Sequence, residues 1–159
     1  MEWEREFGGQ RHFGMSWFLL WLAFCLHVAG EALAGFLAVY HPTVLTVRAR
    51  LSWFPLPTFG SREWLIGLID VNGVFLLLTS CAFRNAGCLR PLAFIFAGMM
   101  LLNGIGHTLP TIFGQTVSAV PFSRPAPGFY SSPLLLAGSI YLPIRLRVIR
   151  RRRSQAGGF

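Results

Sequence analysis

The segment MSWFLLWLAFCLHVAGEALAGFLAVY, residues 15–40, decides the fold class. It runs for 26 residues, interrupted by only two side chains that carry charge near neutral pH, His27 and Glu31. A bilayer-spanning helix needs about 20 predominantly apolar residues, so this run is long enough to cross. Arg5 and Arg11 precede it, and Ala32-Leu33-Ala34 matches a small-residue cleavage pattern, as in a secretory signal. A signal's apolar region is about 7 to 15 residues long, however, so the run reads as a retained first span.

Outward from it, three more apolar runs bounded by Arg, Pro and aromatic residues predict helices at about 63–83, 91–110 and 130–149. The whole composition agrees: 53% of residues are hydrophobic and 13% charged, with mean hydropathy +0.54. These values exclude a water-soluble enzyme, a disordered tail and a disulfide scaffold. Cys25, Cys81 and Cys88 follow no metal or disulfide spacing. The expected fold is all-α, a polytopic bundle of four transmembrane helices. Its parts are an N-terminal segment 1–14, a membrane domain 15–149 and a basic tail 150–159. The 41–62 connection, with Trp53-Phe54-Pro55-Leu56-Pro57, reads as a structured outer loop, and 84–90 as a tight hairpin. Residues 111–129, rich in Gly and Pro but apolar from Thr116 to Phe122, read as a short interfacial segment.

The net charge of +8 includes 14 basic residues, all Arg. Ten lie at the N-terminus, in the 84–90 hairpin and at the C-terminal end, against four on the other face: Arg48, Arg50, Arg62 and Arg124. The positive-inside rule therefore puts both termini in the cytoplasm, which itself requires an even number of spans. Location in the inner (plasma) membrane of the cell follows as an expectation. Trp17, Trp21, Trp53 and Trp64 fit interfacial belts. Arg150 to Arg153 read as an anchor with affinity for anionic membrane lipid, not as a nucleic-acid surface.

Against this background a few polar residues are costly. His27 and Glu31 lie in the first span, Asp70 and Asn72 in the second, Asn103 and His107 in the third. A charge at bilayer depth costs roughly 2.5 to 3.5 kcal/mol on insertion scales, so such groups are expected to turn inward and act together. His27/Glu31 and Asn103/His107 are each four apart, one helical turn on one face. His27 and Asn103 stand 12 residues into their spans, and Glu31 and His107 stand 16 in. The pairs should meet at one depth, with Asp70 reaching the same layer from the second span. Gly30, Ala34 and Ala38 form a small-residue stripe for close packing. Pro110 would free the carbonyl of Gly106 or simply end the third span.

Leu26-His27-Val28-Ala29-Gly30-Glu31 resembles the founding motif of the HXXEE family of small bacterial membrane proteins, with His27 as its histidine and Glu31 as its second glutamate. Gly30 stands where the first glutamate would be. Glu63-Trp64 with Asn72, Asn103-Gly104-Ile105-Gly106-His107 and Pro127-Gly128-Phe129-Tyr130 also look like that family. The resemblance implies a multi-span architecture and these polar positions, and names no reaction.

Two classes of function fit. One is an intramembrane enzyme acting on a hydrophobic small molecule, lipid-like or isoprenoid. Glu31 or Asp70 would be its acid or base, His27 would tune that group, and Asn103 and His107 would polarise the substrate. A metal version uses His27, Glu31 and His107 as ligands for zinc or iron. The other is a non-catalytic subunit that binds a hydrophobic ligand or pigment, or packs against partner helices. A purely structural network is the bland reading of the same residues, and a transporter would want internal repeats that the sequence lacks.

Overall fold

The computed structural model describes residues 2–84, 86–116 and 119–156, with side chains between 11 and 148. Its helices are α1 (Glu2–Leu33), α2 (Leu37–Arg50), α3 (Ser61–Phe83), α4 (Leu89–Phe113) and α5 (Ser132–Ala156), with a 3-10 turn at Phe129–Ser131. The described residues form no strand, only an isolated pairing of Gln115 with Pro121. Three helices are long and apolar enough to cross a membrane: Arg11–Leu33, Ser61–Phe83 and Leu89–Phe113.

The first expected span, 15–40, is cut short. Gly35 adopts a left-handed backbone, φ 68°, which costs a glycine nothing and any other residue steric strain. Phe36 N–H then reaches back to the carbonyl of Glu31 at 3.0 Å, the six-to-one hydrogen bond that stops a helix. The chain restarts as α2, so part of the expected outer loop is helical. Residues 51–60 are tied back to α2 by the Tyr40 hydroxyl, which donates to the Pro57 carbonyl at 2.8 Å. The expected N-terminal segment is helical from Glu2 and runs into the first span without a break. At the other end α5 carries the tail to Ala156, while the side chains of Arg150 to Arg153 lie outside the described ones.

Helix α1 packs along α3 and α5, and α4 packs along α5. The core is aromatic: Phe75 and Phe96 stack at 4.2 Å, and Trp17 sits 5.4 Å from Phe96. Trp17 is fully buried and donates its indole N–H to the Phe75 carbonyl at 3.1 Å. Trp21 donates to the Asn72 carbonyl at 3.0 Å. Both therefore face helix α3, which corrects their reading as an interfacial belt. The buried indole needs an acceptor, and the α3 backbone provides it.

Close approach also falls elsewhere than expected. Ala34 and Ala38 are exposed, because the helix ends before the stripe is complete. The tight crossings use Gly14, Gly104 and Gly138. A Cβ there would meet Phe83 at 2.4 Å, Leu136 at 2.9 Å and Leu20 at 3.0 Å, respectively. Small residues let helix backbones approach, and in lipid such packing is what holds helices together.

Candidate functional site

The last two turns of α1 carry His27 and Glu31, and α4 carries Asn103 and His107. These helices meet mainly through side chains, so long polar groups bridge the space between them. Glu31 Oε1 lies 3.0 Å from His107 Nε2 and 3.4 Å from His27 Nε2. Asn103 Oδ1 is 2.9 Å from the same His107 nitrogen. The two imidazole rings stand edge to face, 4.7 Å between centroids. His27, Glu31 and His107 are all buried, and one ligand atom from each lies within 4.8 Å of the others. The matched depths expected for the two pairs are thus realised.

Asp70 does not join them. It is exposed on α3, and the reason is angular. Helix α3 turns Leu68, Asn72 and Phe75 toward α1. At about 100° per residue, Asp70 falls roughly opposite both Leu68 and Asn72. Asn72 is instead a packing residue: Cys25 Sγ–H donates to its Oδ1 at 3.0 Å, and its Nδ2 donates to the Leu68 carbonyl at 2.8 Å. Pro110 stays within α4, which continues to Phe113, where Gly114 (φ 73°) ends it with a 2.7 Å bond to the Pro110 carbonyl.

Sequence reasoning missed the segment that closes the centre. The chain returns from α4 through Ala126, Pro127 and Gly128, all buried. Gly128 has φ 83°, and a Cβ on it would come within 2.7 Å of His27 Cε1, 3.1 Å of Glu31 Cγ and 3.2 Å of His107 Nδ1. Only glycine fits both the backbone and the space. Ser131 Oγ contacts His27 Nδ1 at 2.9 Å and donates to the Gly128 carbonyl at 3.0 Å. Ser132 Oγ donates to the same carbonyl at 3.0 Å. The Pro127-Gly128 pair was the visible signal, being a turn dipeptide between two apolar runs. Gly30 borders the same place, since its Cβ would stand 3.8 Å from Ser131 Oγ.

Beside the centre lies an apolar groove of about 320 Å³, lined by Phe36, Tyr40, Phe59, Trp64 and the α3 residues Gly67, Leu68 and Val71. The Phe36 ring is shared: it walls the groove and lies 5.7 Å from the His107 ring. A carboxylate between two imidazoles can pass a proton in either direction, or hold a cation. Comparison with known families, curated proteins and solved structures returns no match. The centre is therefore read from its own geometry.

Proposed function

We propose that this chain is a small multi-pass enzyme of the bacterial inner membrane, with four spanning helices and both termini cytoplasmic. Its substrate is a hydrophobic, lipid-like or isoprenoid molecule taken from the bilayer. Glu31 is the acid or base, His27 and His107 hold and tune it, and Asn103 orients His107. The observation that carries this reading is the shared ring of Phe36. A single side chain separates a buried proton-transfer centre from a groove that suits a hydrocarbon. Ligand pockets are mostly apolar with a few convergent polar groups, and this pairing has that form. The likeness to the HXXEE pattern belongs to the same proposal, with Glu31 as the shared acid.

The test is native-lipid mass spectrometry of the purified chain. Gly67 faces open space in the groove wall, so Gly67→Phe fills the groove without disturbing the core. The wild type should carry a lipid or isoprenoid enriched over the surrounding membrane, and Gly67→Phe should lose it. Co-purified lipid identical to the bulk membrane in both would defeat the reading. A second polypeptide with no enriched lipid would favour the alternative, a subunit packing against a partner helix. That alternative rests on Asp70, an acid exposed near the middle of the spanning helix α3, where contact with lipid is costly.

The topology has its own check. Single cysteines at Ser123 and Ser154, in a chain lacking Cys25, Cys81 and Cys88, should label from opposite sides of sealed vesicles. Labelling from one side would remove the four-span arrangement.

A further inference from the structure

The hydrogen bonding of the centre does not close on protein atoms alone. Ser131 has one hydroxyl proton, and it is directed to the Gly128 carbonyl at 3.0 Å. With the proton so placed, its oxygen accepts from His27 Nδ1 at 2.9 Å, the tautomer that leaves Nε2 free to bind an ion. In the neutral ring, Nε2 is then a bare lone pair. That nitrogen is buried and has no hydrogen-bond partner, although it lies 3.4 Å from Glu31 Oε1. In that tautomer lone pair faces lone pair between two buried side chains. An unmade bond of this kind is destabilising, the more so where a charge is involved. A structural network would have been completed with a donor, such as the amide of a glutamine in place of Glu31. The chain presents a carboxylate instead.

We propose that His27 Nε2, His107 Nε2 and Glu31 Oε1 bind one divalent transition-metal ion. This rests on the reading of the centre as the working site, and puts an ion in place of the bare Glu31 carboxylate as its acid. Two imidazoles and one carboxylate are the donors that zinc and ferrous iron take with a coordination position left open. An all-oxygen set would suit magnesium or calcium, and thiolates would suit copper(I). Metal–ligand bonds near 2.0 to 2.2 Å place tetrahedral ligands about 3.4 Å apart. Around Glu31 Oε1 the separations are 3.4 Å and 3.0 Å, within a few tenths of an ångström of that value, and all three ligand atoms lie within 4.8 Å of one another. Asn103 Oδ1, 2.9 Å from His107 Nε2, is a fourth donor within reach once that nitrogen gives up its proton. Ser131 plays the part of an outer-sphere partner, fixing the His27 ring with Nε2 turned inward. Gly128 keeps open the space that a methyl group would take from the rings.

The experiment uses the full chain in detergent, purified through a tag without histidine, stripped with a chelator and reloaded separately with Zn(II), Fe(II) and Co(II). Elemental analysis should give about one Zn(II) or Fe(II) per chain, and Co(II) should show the strong visible absorption of a four-coordinate ion. Which of the two native metals withstands competition identifies the physiological one. His27→Ala, Glu31→Gln and His107→Ala should each lose the ion, whereas His41→Ala, on α2, should keep it. Ser131→Ala should keep the ligands yet bind about 10- to 100-fold more weakly. That graded loss covers the case in which a ligand variant fails to fold. Failure of the wild type to reload, or equal retention by all three ligand variants, overturns the site. An ion-free chain that still enriches its lipid sinks the metal and leaves the acid/base reading standing. A loaded chain with no enriched lipid does the reverse.

Discussion

Gly128→Ala should unfold about 2 to 5 kcal/mol more easily than the wild type and lose its Co(II) spectrum. Two costs add at this position. The left-handed backbone, φ 83°, charges a residue with a Cβ about 1 to 2 kcal/mol. The new methyl would also enter the van der Waals shells of His27, Glu31 and His107, and overpacking of this kind costs about 1 to 3 kcal/mol. Gly98→Ala is the control, since its Cβ meets nothing within 4 Å and alanine is the better helix former by roughly 1 kcal/mol. Denaturant titration of both variants, followed by Co(II) loading of the folded fraction, makes the comparison. If Gly128→Ala were as stable as Gly98→Ala, the turn would not be pressed against the centre as described.

Trp17→Ala should cost as much stability, about 3 to 5 kcal/mol, yet leave metal loading of the folded fraction unchanged. The indole is wholly buried among Phe13, Phe75 and Phe96, and its removal forfeits contacts on every side as well as the hydrogen bond to the Phe75 carbonyl. In a bilayer little solvent-driven gain is at stake, so the loss is one of packing. Trp17 lies ten residues before His27, about 15 Å along the helix. A change below about 1 kcal/mol would place Trp17 back at an interface. The two variants thus separate the mechanical core from the chemical centre.

The spans at 63–83 and 91–110 were legible because length and apolarity alone decide them, and α3 and α4 occupy Ser61–Phe83 and Leu89–Phe113. The meeting of His27, Glu31, Asn103 and His107 was legible too, since equal rise along two helices fixes equal depth. The break after Leu33 was not. Gly35 looks like any glycine in an apolar run, and no neighbouring residue marks it as the one that turns left-handed. Asp70 misled for a related reason: depth can be counted along a helix, whereas the face it presents depends on which neighbour the helix chooses. Ser131 stayed hidden, and Gly128 showed only as part of a turn dipeptide, because they act through one hydroxyl and the backbone, groups that carry no charge signature. Trp17 misled because an aromatic near a span end fits a belt and a core equally well.

The stop signal of α1 has a mechanical consequence. The N–H of Phe36 is bonded to the carbonyl of Glu31, so the residue that walls the groove is fastened to the residue at the heart of the centre. The peptide between them is a short arm pivoting on Gly35. Whatever displaces the ring pulls on the turn that aims the carboxylate. Because the last turn of a helix has the fewest backbone bonds restraining it, this is where α1 yields with least resistance. Groove and carboxylate form a latch and its bolt, cut from six consecutive residues.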